Sequence, residues 1–414
     1  MENPTVRETL FEAQSECPDI CQVIRLCCAV LLFLIALVSG IDRAQAQQQS
    51  KPVRADPTPE PAVPAILAAF DKYEVVGMPA AHGMKDVDDF ILLLIRNPAF
   101  SEKVNDIAVE CGNSLYQGIL DRYIAGEDVP FAEVRKVWRN TTQLMCSMSG
   151  FFEQFFPLVR ALNQKLPGGK RLRVLAGDSP IDWYQVKSSQ DIDKFFDDRE
   201  ASIASIMVKE VLSKHRKALM LFGTFHLMHQ SGSGRENAVS RYEKDYPNLT
   251  FVISELGTFD TDLPALSHSP FANWPVPSLA RAKGTWLGAL DLTSFFPAPI
   301  TFDKDCNVHN EFPKELQRPM ADLVDAFLYL GPQDLRLSEQ MPADIALDVE
   351  YMAELQRRET LMGWPGAATM TSKEFNQQIV NGAEYPLFVI PKRPDLKPFV
   401  QGCLERKSHR STPQ

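Results

Sequence analysis

Two histidines and several carboxylates stand directly behind apolar runs, where a strand would hand the chain to a turn. His82 follows "YEVVG" (73–77) by five residues, and Glu110 closes "DIAVEC" (106–111). Asp178 ends "RLRVLAGD" (171–178), with Asp182 four residues on, His226 ends "FGTFH", and Glu255 ends "LTFVISE" (249–255). Such a set suits two kinds of chemistry. A histidine near neutral pKa, held by a carboxylate, activates water as a general base. Alternatively, two histidines and a carboxylate hold a transition metal that acidifies a bound water. "HLMH" spaces His226 and His229 three apart, within reach of two ligands on one helix.

Each residue also has an ordinary structural role open to it. A histidine behind a strand commonly caps or donates within a loop. Glu110 can cap the helix that begins near Asn113, and Asp178 and Asp182 in "AGDSPIDW" can close a turn over a buried Trp183. What favours chemistry is convergence, since independent strands bring imidazole and carboxylate to one edge. Other chemistries lack their signatures: there is no G-x-S-x-G elbow, and neither "LPGGKRLRV" nor "SGSGRE" matches a phosphate-binding loop.

The elements that must position these residues read as an α/β alternation. Short continuous apolar runs at 73–77, 106–111, 171–178, 217–223, 249–255 and 326–331 suit strands buried on both faces of a mostly parallel open sheet. Helical spacing marks "KDVDDFILLLIRN", "SLYQGILDRYIAG", "PFAEVRKVWRNT", "FFEQFFPLVRALNQKL" and "SIASIMVKEVLSK" between them. Pro157 is expected to kink or split the fourth of these. "DIALDVEYMAELQRRETLMG" predicts a C-terminal helical extension packed on that core. Loops and helix N-termini converge at the carboxyl ends of such strands, so the site belongs there.

At 414 residues the chain has room for one large domain with insertions. The expected division is an acidic extension with signal peptide or anchor (1–46), a Pro-rich linker (47–68), one α/β domain (69–400) with an irregular excursion at 258–300, and a flexible tail (401–414). A net charge of −10 without a basic stripe excludes a general nucleic-acid binder. "RLCCAVLLFLIALVSG" is shorter than the roughly twenty residues a spanning helix needs, and "AQA" (44–46) is a small-x-small cleavage pattern. Export to the periplasm with cleavage after Ala46 is the expectation, from a leader that starts near Val23. The alternative is an inner-membrane anchor over residues 26–40, the only membrane contact expected. Cys111, Cys146, Cys306 and Cys403 are too widely spaced for a zinc ribbon and leave one or two disulfides open.

The order of motifs resembles the erythromycin-esterase-like, ChaN-like and Tiki superfamily, closest to its exported bacterial members: "VVGMPAAHG", "IAVECGN", "VLAGDSPIDW" and "FGTFH", over roughly residues 70 to 365. The resemblance implies an erythromycin-esterase/ChaN-like fold and hydrolysis of an ester, lactone or amide in a small-molecule substrate. His82, Glu110 and His226 would carry it with Asp178 in support; Asp182, His229 and Glu255 would serve binding. The same resemblance allows a divalent metal on His82, Glu110 and His226, or a ChaN-like protein that binds haem or metal without turnover. The cofactor is left open between these. Where relatives carry Gly-Glu before the first histidine, this chain has Met78, whose thioether can neither take a proton nor ligate a hard metal. That departure implies either a shifted site or a decayed one.

Overall fold

The computed structural model describes residues 54–80, 83–229, 236–256, 271–296, 300–303, 305–312, 317–332, 335–342, 344–363 and 369–382, with isolated positions 397, 400, 401 and 404. The leader and the anchor span, His82, Cys403 and most of the tail lie outside the described residues. From Ala55 onward the chain forms one compact unit. Among the described residues no helix is long and apolar enough to cross a membrane.

The expected apolar runs form the middle of one eight-stranded sheet. Its strands are β1 (Pro59–Pro61), β2 (Val75–Pro79), β3 (Asp106–Asn113), β4 (Arg173–Asp178), β5 (Ala218–Phe222), β6 (Thr250–Glu255), β7 (Ser278–Arg281) and β10 (Ala326–Tyr329). A separate ribbon pairs β8 (Ile300–Phe302) with β9 (Val308–Asn310). The order is β1-β7-β10-β6-β2-β5-β3-β4. From β10 to β4 every pairing is parallel. Both faces are covered, which is why these runs are apolar without alternation.

Two strands were not legible. β7 pairs antiparallel with β10, and β1 antiparallel with β7. The segment expected as a linker to residue 68 is therefore part of the domain: Pro59–Pro61 is an edge strand, where proline's missing N–H costs no ladder bond, and a helix follows over Ala62–Ala69. Likewise the 258–300 excursion carries β7 within it, though its residues 257–270 lie outside the described set.

Helices separate the two faces. Val76, Met78, Val109 and Leu221 join one core with the helices Lys85–Arg96, Phe131–Arg139 and Gly150–Lys165. Ala108, Met220 and Phe222 join the other, with the helix Arg199–Glu210 and the short helix Thr224–Leu227. Pro157 sits inside Gly150–Lys165 without splitting it. A third cluster packs the C-terminal helices Val349–Leu361 and Ser372–Gly382 on Ile181, Trp183 and Ile192, beyond the end of β4.

Candidate functional site

β5 lies between β2 and β3, and its end delivers Gly223 and the turn that carries His226. On β3 the register against β4 shifts between Val109 and Asn113, the irregularity that contains Glu110. A Cβ at Gly177 would lie 2.4 Å from the Phe222 ring, so only glycine lets β4 bring Asp178 this close to its neighbours.

Three of the expected residues converge, and they do so on one that sequence reasoning missed. Arg199 donates from Nη2 to Glu110 Oε1 at 2.8 Å and from Nε to Asp178 Oδ1 at 2.9 Å. Its Nη1 lies 2.9 Å from His226 Nε2. Glu110 also accepts from the Gly223 amide at 2.6 Å, and Asp178 from the Thr142 hydroxyl at 2.8 Å and the Thr142 amide at 2.5 Å. His226 turns its Nδ1 to Glu200 Oε1 at 2.5 Å, and Glu200 Oε2 accepts from the Ala238 amide at 2.7 Å. Glu110 Oε1 stands 3.4 Å from His226 Nε2. The partner that orients the ring is thus Glu200, with Glu110 on the opposite nitrogen.

Electrostatics set the protonation. Burial is the largest influence on His226 and favours the neutral ring, as does Arg199. The charge of Glu110 and the hydrogen bonds of Glu110 and Glu200 outweigh both and raise its pKa to about 9. Burial also pushes the Asp178 carboxyl above its ordinary value, against the pull of Arg199 and Thr142. Burial works against the charge of Arg199, but Glu110 and Asp178 outweigh it and raise its pKa, so the guanidinium is a permanent cation.

The metal reading does not fit these residues. Glu110 and His226 both face a guanidinium, which occupies the place a metal would take and repels one. His82, the third expected ligand, lies outside the described residues. Among the described residues no group of three or more His, Cys, Asp or Glu is arranged to hold a metal ion. Both nitrogens of His226 are engaged, so this ring presents no free axial ligand to a haem iron.

The remaining candidates lie elsewhere. His229 is clamped between Glu243 and Asp325, both at 2.9 Å, and takes a structural position. Asp182 accepts from the Tyr184 amide at 3.1 Å in a turn, as its ordinary role would have it. Glu255 pairs with buried Arg336 at 2.8 Å, and burial, countered by Arg336, raises its pKa to about 6. Met78 is fully buried and belongs to the core opposite Glu110. A carboxylate there would enter the apolar layer, so its absence takes nothing from the Glu110–Arg199–His226 set.

Arg199 and Glu200 sit in "FFDDREAS", which reads as a solvated charge run. One signal was available: Arg199 opens a helix, where a cation opposes the helix dipole, so it needs carboxylates to hold it.

No protein-family profile matches the chain, and no curated protein does. Three solved structures are similar in fold. A Bacillus cereus protein shares 9% identity over 66% of this chain and 94% of its own, with a TM-score of 0.44. A succinoglycan biosynthesis protein shares 9% over the same fractions at a TM-score of 0.47. An erythromycin esterase, in its open conformation, shares 11% over 64% of this chain and 92% of its own at a TM-score of 0.37.

Proposed function

We propose that the protein is an exported hydrolase of an ester, lactone or amide, with His226 as its base. One observation carries this reading: Nδ1 of His226 is fixed on Glu200 while Nε2 faces a buried cation and a second carboxylate at the sheet's carboxyl edge. With Nδ1–H donated to Glu200, the neutral ring presents its lone pair at Nε2. That nitrogen takes a proton from water as the water oxygen bonds to the carbonyl carbon. The carbonyl oxygen becomes an oxyanion, and Arg199 Nη1, turned from Nε2 toward it, supplies the compensating charge. Collapse of the adduct breaks the C–O or C–N bond, and imidazolium returns the proton to the departing alcohol or amine.

Glu110 and Asp178 hold Arg199 in place, and Glu110 stabilises the imidazolium that forms. The disulfide between Cys111 and Cys146 supports export, because such bonds persist in oxidising compartments. The test is a screen of activated esters, lactones and amides with the full chain and His226→Ala. Base removal should lower turnover by about 10²–10⁴ with the fold intact. Undiminished hydrolysis by His226→Ala would remove the ring from the mechanism.

A further inference from the structure

Arg139 is a buried cation held loosely by its acidic partners. Its side chain is 7% exposed, its Nε has no partner, and Nη1 and Nη2 meet Asp348 and Glu153 only at 3.5 Å. A buried donor left without an acceptor costs about 1–3 kcal/mol, more when charged. Arg139 lines a cleft of about 290 Å³ between the helices Phe131–Arg139 and Val349–Leu361.

Aromatic rings line this cleft together with charges that are mostly paired among themselves, and exposed Glu350 adds a carboxylate at its edge. The Arg139 guanidinium stacks 4.9 Å from the Tyr351 ring, and Tyr184 stands 53% exposed at the rim. Glu133 is bound by Lys136 at 2.7 Å, and Glu354 by Arg357 and Arg358 at 2.6 and 2.8 Å. Asp348 caps the Tyr351 amide at 3.1 Å, and Arg135 holds Glu153 at 2.9 Å. Against these short pairs, the planar fork of Arg139 is held only by its 3.5 Å contacts to Asp348 and Glu153, and its shape matches an oxyanion. Arg358, fully buried behind it with Nη2 unpartnered, stacks 5.2 Å from Trp183 and fixes the aromatic wall.

We infer that this cleft is a binding site for a small oxyanion-bearing ligand, with Arg139 gripping a carboxylate or phosphate and Tyr184 and Tyr351 flanking the ring that carries it. The inference stands apart from the reading of His226. None of the site residues Glu110, Arg199 and His226 lines the cleft.

Calorimetric titration of the full chain with phosphate, acetate and benzoate tests it. One saturable, mutually competitive site in the millimolar range is expected, weakened at least about tenfold in Arg139→Gln. Benzoate should bind more tightly than acetate and lose that advantage in Tyr184→Ala. Phosphate winning over both carboxylates would assign the ligand's charge to a phosphoryl group. Should Arg139→Gln fail to fold, fluorescence of Tyr184→Trp reads the same anions at the rim of an intact cleft. No saturable binding of any anion up to about 100 mM, or binding unchanged in Arg139→Gln, overturns the inference. So does benzoate binding no better than acetate.

Discussion

Nη1 of Arg199 and Nε2 of His226 meet at 2.9 Å, in a contact that only a neutral ring can accept. Glu110 Oε1, at 3.4 Å from the same nitrogen, favours the charged ring instead. The site is therefore poised between two protonation states, and one proton decides which neighbour Nε2 faces.

Arg199→Ala should destabilise the fold by roughly 3–5 kcal/mol, because it removes the buried cation that compensates the charges of Glu110 and Asp178. Adding Glu110→Gln and Asp178→Asn should recover much of that loss. Urea unfolding of the single and triple variants measures both. Equal stability of Arg199→Ala and the parent would mean that the guanidinium does not anchor the two acids.

Hydrolysis, once a substrate is found, should rise with pH and level off near about 9, where His226 loses its second proton. Glu200→Gln removes one of the bonds that raise this pKa, so its plateau should begin at lower pH. Initial rates between pH 6 and 10 decide, with those limits set about the shifted pKa. A profile that ignores the Glu200 substitution would take Glu200 out of the role assigned to it.

His229 gives a separate, structural pH dependence. Burial favours its neutral form, but bonds to Asp325 and Glu243 raise its pKa from 6.5 to about 9. The folded state therefore holds its proton more tightly than the unfolded chain. The stabilisation is fully present below pH 6.5 and is lost as pH rises through about 9, at roughly 3 kcal/mol for this group. Thermal melts should show Tm falling over that window, and His229→Gln should flatten the fall. An unchanged slope would assign it to other groups.

Cys111 and Cys146 close a loop of 35 residues that includes Thr142, the partner of Asp178. Replacing both cysteines with alanine should cost about 4 kcal/mol on the loop-entropy account. It should also loosen the Thr142 clasp. Chemical denaturation and hydrogen exchange at the Thr142 amide read the two effects separately. Loss of stability with full protection at Thr142 would confine the disulfide to global stability.

Met78→Glu should destabilise by on the order of 4 kcal/mol rather than repair a site, because it would bury an unpaired carboxylate among Val76, Val109 and Leu221. A variant as stable as the parent and newly able to bind metal would restore the idea of a decayed site.

Much of the frame was legible along the chain. The six apolar runs that became the parallel core are continuous because helices cover both faces of the sheet, and continuity is a local signal. Glu110, Asp178 and His226 were legible for the same reason, since each ends such a run. Pro59–Pro61 was not, because a three-residue edge strand of prolines carries no apolar pattern and owes its place to β7. The partners of His229 were not legible, because its spacing from His226 says nothing about Asp325, 96 residues away.

By itself, then, the sequence determined which strands form the parallel middle of the sheet and which edge collects Glu110, Asp178 and His226. Only the tertiary structure showed that a guanidinium joins them. Arg199 reaches Glu110 across 89 residues and Asp178 across 21, and it pairs with them because the fold buries all three away from water. A charge in a linear sequence shows its sign but not its burial. Whether Arg199 is a solvated surface cation or the centre of a site follows from the packing of its helix over the ends of β3, β4 and β5.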